Sequence, residues 1–95
     1  MVRRRTSRVI LKIKQSAQDG GLLFSDHARR EMNDDQCDEA DVSLAVQKGV
    51  LIARQTHGDR GTRYVIRGST GEGREMEVVC RMAGGEVRIV TVYRV

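Results

Sequence analysis

The chain has 95 residues, which is enough for one domain with a single modest hydrophobic core. It contains only three aromatic residues, Phe24, Tyr64 and Tyr93, so the core must consist mainly of aliphatic side chains and methionine. A protein that binds single-stranded nucleic acid through many stacked aromatic rings is not expected from this composition.

The positive charge of the chain comes almost entirely from arginine. The formal net charge is +4, and the only lysines are Lys12, Lys14 and Lys48. A guanidinium group pairs bidentately with a phosphate or a carboxylate, which a lysine ammonium cannot do. The composition therefore suits RNA, DNA or an acidic protein as a partner. A basic surface that only keeps the protein in solution fits the charge equally well.

The cysteines and the apolar runs limit the class of protein further. Cys37 and Cys80 lie far apart without metal-ligand spacing, so we expect reduced thiols, no metal and no cofactor. No apolar run approaches the roughly 20 residues that a membrane span needs. The N-terminal segment lacks the unbroken apolar stretch and the small-residue cleavage site of a signal peptide. We therefore expect a cytoplasmic protein that has no membrane partner.

The first half of the chain is predicted to be helical. Residues 1–5 are expected to form a flexible basic arm, followed by a helical part that covers residues 6–48. Apolar residues recur at helical spacing between Arg8 and Gln18, and a pair of glycines then ends this first helix. The segment Ile10–Ile13 fits a strand as well.

Two further helices are predicted by their caps. Leu22–Phe24 is a short strand or an extended entry, after which Ser25 or Asp26 caps a helix that runs to about residue 33. A third helix begins at Asp38, with Asp41 completing a capping box, and it ends at residue 49.

From residue 49 onward the apolar pattern changes to strands. Four segments rich in β-branched residues are separated by glycine-containing turns, one of which includes His57. Short connections of this kind suit antiparallel neighbours. The predicted fold class is α+β, with two or three N-terminal helices packed on a four-stranded antiparallel meander of residues 49–95, in a single domain of residues 1–95.

One face of the predicted sheet carries arginines. Arg63 and Arg67 share one side of the second strand of the meander, and Arg81 lies on the corresponding side of the third. Both sides of the last strand are apolar enough for the core, so the pattern leaves open whether Thr91 and Tyr93 reach the arginine face. That face is either a basic cleft or an ordinary solvated face.

A histidine stands in the first turn of the predicted second helix, in the stretch LLFSDHARREM. A histidine changes its charge near neutral pH, which suits acid–base chemistry, and a helix N-terminus offers N–H groups to an anion. His27 fits a surface residue beside a capping sequence as well. Cleavage of RNA without metal needs a base, an acid and cations near the phosphate. His27, the strand arginines and Tyr93 would be sufficient for it.

The ordered motifs FSDHARREM, DEADVSLAVQKGVLI, RYVIRGSTGEGREMEVVCRM and VRIVTVYRV resemble a family of small bacterial domains of unknown function with a His-Ala-x-x-Arg-Met motif. The resemblance runs from Leu22 to the C-terminus. It implies a fold similar to the RelE-like and barnase-like ribonuclease toxins of toxin–antitoxin systems. The implied activity is that of a metal-independent endoribonuclease, an mRNA interferase that acts on RNA, including ribosome-bound mRNA. The implied protein partner is a cognate antitoxin of the zinc-finger type.

The resemblance also assigns residues. The signature histidine of the family corresponds to His27, its strand arginine to Arg63, and its closing Thr-x-Tyr to Thr91 and Tyr93. Its first helix arginine corresponds to Arg29 and its Gly-Arg pair to residues 73 and 74. Together with the strand pattern, this predicts His27, Arg63 and Tyr93 as catalytic residues, and Arg29, Arg30, Arg67, Arg74, Arg81 and Thr91 as RNA-binding residues.

The chain departs from the family pattern at two places. Glu31 stands where the family has a basic residue, and Asp35-Gln36-Cys37 stands where it has Arg-Gly-Ile. The second departure weakens the basic patch that is expected near the second helix. The alternative function is a non-catalytic basic module that binds RNA or an acidic protein partner.

Overall fold

The computed structural model describes residues 4–56, 58 and 61–95, and side chains from Arg8 onward. Of the expected arm of residues 1–5, Arg4 and Arg5 belong to the first helix. Arginine is a good helix former and no breaker precedes residue 8, so the helix extends into the basic segment. Residues 1–3 of the expected arm lie outside the described residues, as does His57 in its predicted turn.

Three helices and five strands follow one another along the chain. They are α1 (Arg4–Gln18), β1 (Leu22–Phe24), α2 (Asp26–Asp34), α3 (Glu39–Lys48), β2 (Val50–Thr56), β3 (Thr62–Ser69), β4 (Glu75–Ala83) and β5 (Glu86–Arg94).

The predicted caps of the second and third helices are confirmed. The backbone N–H of Ala28 donates to Oγ of Ser25 over 3.0 Å at the start of α2. At the start of α3, the N–H of Asp41 donates to Asp38 over 2.9 Å, and the N–H of Asp38 donates back to Asp41 over 3.0 Å. These side chains satisfy N–H groups that have no partner within the helix.

The five strands form one mixed sheet in the order β1-β5-β4-β3-β2. The neighbours among β2 to β5 are antiparallel, whereas β1 pairs parallel with β5. The predicted four-stranded antiparallel sheet is therefore wrong in its strand count and in its uniform direction. The sequence pattern did not show that Leu22–Phe24 pairs with the outer edge of β5. The α+β class is confirmed.

The three helices pack on one face of the sheet and form the hydrophobic core with it. The core includes Ile13 of α1, Met32 of α2 and Val46 of α3, together with inward residues of the strands such as Ile66 and Ile89. These side chains are aliphatic or methionine, as the scarcity of aromatic residues predicts.

A lysine of α1 attaches that helix to the end of α3. Nζ of Lys14 donates to the carbonyl oxygens of Val46, Gln47 and Gly49 over 3.0, 2.7 and 2.7 Å. The last carbonyls of a helix lack partners within the helix and carry partial negative charge, so an ammonium group stabilises them. Burial lowers the pKa of Lys14 from its usual value.

Helix α3 lies directly on the backbone of β3. A Cβ atom placed on Gly68 would lie 2.0 Å from the carbonyl oxygen of Ala45 in α3, and one on Gly49 would lie 2.6 Å from the carbonyl oxygen of Arg67 in β3. Both glycines are therefore required by the close approach of the helix to the sheet.

The end of α2 forms a Schellman motif around a left-handed residue. Gln36 has a φ of 56°, and the N–H groups of Gln36 and Cys37 donate to the carbonyls of Asn33 and Met32 over 3.2 and 2.9 Å. Glycine is the usual residue at this position because a side chain disfavours positive φ. The guanidinium of Arg74 donates to the carbonyls of Asp35 and Gln36 over 3.1 and 3.2 Å.

Replacing Gly68 by alanine should lower the free energy of unfolding by about 3 kcal/mol, because the new methyl group would collide with the carbonyl of Ala45. Gly71→Ala is the matched control, since its Cβ would lie 3.5 Å from Leu44 in ordinary contact. Urea denaturation of both variants measures the difference. Equal midpoints would contradict the close approach of α3 to β3.

Replacing Gln36 by glycine should raise the free energy of unfolding by about 1 kcal/mol, because glycine adopts positive φ without steric cost. The same change at Asn33, inside α2, should lower stability instead, because glycine is a poor helix former. Thermal or urea denaturation gives the sign of both effects. A loss of stability in Gln36→Gly would show that the Gln36 side chain contributes more than its backbone strain costs.

Candidate functional site

A β-bulge in β5 decides which residues share the arginine face. Val79 pairs with Thr91 and Cys80 pairs with Ile89, so Val90 is an extra residue without a partner in β4. The bulge interrupts the alternation of β5. Its core side consists of Val87, Ile89 and Val92, which are at most 1% exposed, and its other side consists of Arg88, Thr91 and Tyr93.

The sheet face opposite the helices is called the open face here, because none of the described helices packs on it. The question that the sequence left open is thereby answered: Thr91 and Tyr93 lie on the same face as the strand arginines. The open face includes Leu23, Val50, Ala53, Gln55, Arg63, Val65, Arg67, Glu75, Glu77, Val79, Arg81, Glu86, Arg88, Thr91 and Tyr93.

Ser25 holds the bulge from the edge of the sheet. Its N–H donates to the carbonyl of Ile89 over 3.0 Å, and its hydroxyl donates to the carbonyl of Val90 over 3.1 Å. The same hydroxyl oxygen caps α2. The start of α2 is thus attached to β5 where the strand changes its alternation.

His27 is held at the edge of β5 by Glu31. Nε2 of His27 lies 3.2 Å from Oε2 of Glu31, and Oε1 of Glu31 accepts a 2.8 Å hydrogen bond from the N–H of Val92. The side chain of His27 is 57% exposed. With Nε2 donating to Glu31, the neutral imidazole presents Nδ1 as a free proton acceptor. The histidine is therefore oriented beside the strand that carries Tyr93.

A row of three hydrogen-bonded residues crosses the open face at one end. Arg67, Glu77 and Tyr93 stand opposite one another on β3, β4 and β5. The hydroxyl of Tyr93 donates to Oε1 of Glu77 over 2.7 Å, and Nη2 of Arg67 lies 2.7 Å from Oε2 of Glu77. We call these residues the Tyr93 row.

The hydrogen bonds of the Tyr93 row change the acidity of its members. The hydrogen bonds from Tyr93 and from Arg67 lower the pKa of Glu77 below its usual range. The hydrogen bond to Glu77 raises the pKa of Tyr93. Glu77 is therefore an ionised acceptor at neutral pH, and Tyr93 is a donor that retains its proton.

A second row crosses the other end of the open face and consists of arginines alone. Arg63 pairs in register with Arg81, and Arg81 pairs with Arg88. These three residues are called the arginine row. Among the described residues, no acceptor lies within hydrogen-bond distance of the buried Nε of Arg81.

The structure does not bring all three predicted catalytic residues together. Arg63 is four residues along β3 from Arg67, which places it about 13 Å from the Tyr93 row. Arg67 is the arginine beside Tyr93. Thr91 lies between the two rows, opposite Val79.

Three of the predicted RNA-binding residues lie on the helices or the turns. Arg29 of α2 forms a 2.7 Å ion pair with Glu39 and stands over the ring of Phe24, with 5.5 Å to its centroid. Arg30 is exposed on α2. Arg74 donates two N–H groups to backbone carbonyls at the end of α2, and these hydrogen bonds give it a structural role.

Sequence reasoning missed Glu31, Glu77 and Arg88. Glu31 was treated as a departure from a basic position, yet it joins His27 to β5. Glu77 was visible on the arginine side of β4, but the tyrosine that it accepts from was not assigned to that side. Arg88 would lie on the opposite side of the last strand from Tyr93 under strict alternation, which does not reveal a bulge.

Metal sites, membrane-spanning helices and reactive cysteines were also considered for the part of the chain that the structure describes. It contains no group of three or more His, Cys, Asp or Glu residues placed to hold a metal ion. None of its helices is both long enough and apolar enough to span a membrane. Both cysteines are buried and free, and burial raises the pKa of Cys80 to about 12, which makes it a poor nucleophile.

A comparison with known protein families matches residues 24–94 to DUF4258, which is described as a domain of unknown function. The matched region includes His27, the Tyr93 row and the arginine row. Searches of curated proteins and of solved structures find no match.

The pairing of Tyr93 with Glu77 predicts how the tyrosine titrates. The pKa of Tyr93 should lie above its usual value of about 10 in the wild type and fall towards it in Glu77→Gln. Because the raised pKa favours the protonated phenol, this interaction stabilises the fold below pH 10 and is lost as the pH rises through the pKa of folded Tyr93. NMR titration of the tyrosine ring carbons measures it.

Glu86→Gln is the control for charge alone, since Glu86 is exposed at the far end of β5. It should leave the titration of Tyr93 unchanged. Equal midpoints for Tyr93 in the wild type and in Glu77→Gln would contradict the hydrogen bond.

Proposed function

We propose that this chain, which belongs to the domain-of-unknown-function family DUF4258, is a metal-independent endoribonuclease that binds RNA on its open face. One observation carries the proposal. The bulge puts Tyr93 on the face that bears the unpaired arginines, and Glu31 holds His27 at the adjoining edge of β5. The histidine of α2 is thereby held beside β5, and the tyrosine and the arginines stand on β5 and the strands next to it.

The reaction that fits these groups is transfer of the RNA phosphate to its own 2′-hydroxyl. A base takes the proton of the 2′-hydroxyl, whose oxygen attacks the phosphorus. The bond to the 5′-oxygen breaks, and that oxygen receives a proton, which leaves a cyclic phosphate and a 5′-hydroxyl. No metal and no co-reactant is required.

His27 is the group that we assign to proton exchange. Its side chain is more than half exposed, and its contact with Glu31 fixes one nitrogen and leaves the other free. Either step, removal of the first proton or delivery of the second, is compatible with this arrangement.

Tyr93 and Arg67 are assigned to the phosphate rather than to proton transfer. The raised pKa of Tyr93 makes it a poor acid but a durable hydrogen-bond donor. The guanidinium of Arg67 offers a second donor with a positive charge, which stabilises the charge that develops on the phosphate oxygens. In this scheme the phosphate replaces Glu77 as their acceptor.

The cellular role that we propose is that of a cytoplasmic toxin of a toxin–antitoxin system. It is supported by the sequence resemblance to a family of small bacterial domains, which implies a fold similar to the RelE-like and barnase-like toxins, with helices packed on an antiparallel sheet. An mRNA, including one on the ribosome, would be the substrate. A cognate antitoxin, which we propose to be of the zinc-finger type, would neutralise the toxin.

A second candidate is a binding module without catalysis. It is favoured by the internal pairing of the reactive groups, since Glu31 already engages His27 and Glu77 already engages Tyr93 and Arg67. Such a face would still attract an anion through the arginine row.

His27→Ala should slow RNA cleavage by about 100-fold or more, the usual contribution of a general acid or base. The purified wild type should cleave RNA in the presence of a chelator, and its induced expression in bacteria should stop growth and deplete mRNA. Asn33→Ala is the matched control, because Asn33 is exposed on the same helix and should leave cleavage intact. Circular dichroism verifies that each variant is folded.

Two outcomes would count against the proposal in different ways. A folded His27→Ala variant that cleaves like the wild type would remove His27 from the chemistry. A folded wild type that binds RNA without cleaving it, and whose expression leaves growth and mRNA intact, would establish the binding module instead.

A further inference from the structure

We infer that the arginine row is a separate phosphate-binding subsite, which holds the backbone of single-stranded RNA at a distance from the bond that is cleaved. The inference rests on the proposed function in taking RNA as the ligand. It adds where RNA binds on the open face and the path of the RNA across β3, β4 and β5. It also adds a binding residue, Arg88, that neither the motif nor the alternation of β5 indicated.

The geometry of the arginine row is unfavourable for an isolated sheet. Arg63, Arg81 and Arg88 stand directly opposite one another on three adjacent strands, which are about 4.8 Å apart. Like charges in directly opposed positions repel each other and destabilise a sheet. The described residues include no ion-pair partner for any of the three.

The middle arginine is the most constrained member of the row. Arg81 is half-buried between its two neighbours, and its Nε is buried without a hydrogen-bond acceptor among the described residues. An unpaired buried donor costs free energy that a bound acceptor would recover. A phosphate group supplies both the missing acceptor and the missing negative charge, and the planar guanidinium fork suits it.

The arrangement fits a chain of phosphates better than one small anion. The outer arginines of the row are separated by two strand spacings, about 10 Å, so a polyanion that crosses β3, β4 and β5 can contact all three. The floor beside the row is formed by Val65 and Val79, which are 5% and 7% exposed although no described helix covers them.

The row and the proposed reacting groups are separate. Glu77 and Arg81 lie four residues apart on β4, so the Tyr93 row and the arginine row are about 13 Å apart along the strands. One phosphate cannot contact both rows. The arginine row would therefore bind RNA that flanks the cleaved bond and would contribute to affinity rather than to the chemical step.

The test measures binding of a mixed-sequence single-stranded RNA in which every 2′-hydroxyl is methylated. This probe cannot undergo the proposed reaction, so a result about the row does not depend on whether the protein cleaves RNA. Affinity for a single strand falls with salt with a logarithmic slope of about −0.7 per phosphate contact. The triple variant Arg63→Gln, Arg81→Gln, Arg88→Gln should reduce the magnitude of that slope by about 2.

The matched control removes three positive charges from the helices instead. Arg8→Gln, Lys12→Gln and Lys48→Gln change exposed residues of α1 and α3, and their combination should leave the slope within about 0.7 of the wild type. If the row triple variant does not fold, the single variants Arg63→Gln and Arg88→Gln decide the question, and each should remove about 0.7 from the slope.

Three results would overturn the inference. The first is an equal salt slope for the row triple variant and the control triple variant. The second is no change of slope in either single variant of the outer arginines. The third is that polyglutamate binds the wild type through the row while the methylated RNA does not bind, which would identify an acidic protein as the partner of this surface.

Discussion

The hydrogen bonds of Ser25 join the start of α2 to the bulge of β5, and this bulge decides which residues share the open face. One backbone N–H and one hydroxyl contact consecutive carbonyls of β5 at its bulge, and the same hydroxyl oxygen caps α2. A capped helix start is thereby joined to the one place where the strand changes its alternation. Without the extra residue at Val90, strict alternation would put Arg88 and Tyr93 on opposite faces, and the two rows of the open face would not exist together.

The two faces of the sheet balance charge in different ways. On the helix side, three cations have specific partners: Lys14 donates to the carbonyls at the end of α3, Arg29 pairs with Glu39, and Arg74 donates to carbonyls at the end of α2. On the open face, Glu77 is already shared by Arg67 and Tyr93. The three arginines of the arginine row have no ion-pair partner among the described residues, and they stand side by side on the face that no described helix covers.

Local features of the chain could be predicted because they depend on near neighbours. Caps at Ser25 and Asp38 identify the starts of α2 and α3, and Gly49 identifies the end of α3. The arginine side of β3 and β4 follows from simple alternation. The remaining features depend on contacts between distant segments. The parallel pairing of β1 with β5 and the bulge are registers that no local pattern encodes. The roles of Glu31 and Glu77 likewise depend on partners 61 and 16 residues away.

The departures from the family motif have different physical meanings. At Gln36, a side chain occupies a left-handed position where the motif that the chain resembles has glycine, and the cost falls on stability. At Glu31, a carboxylate replaces a cation next to the histidine and acquires two tasks, since it accepts from β5 and orients the imidazole. A cation at that position could do neither. Relative to the motif that the chain resembles, Glu31 offers no phosphate contact at α2 but gives His27 a hydrogen-bond partner. Under the proposed function, phosphate binding falls to the arginines of the sheet, whose row includes no acid.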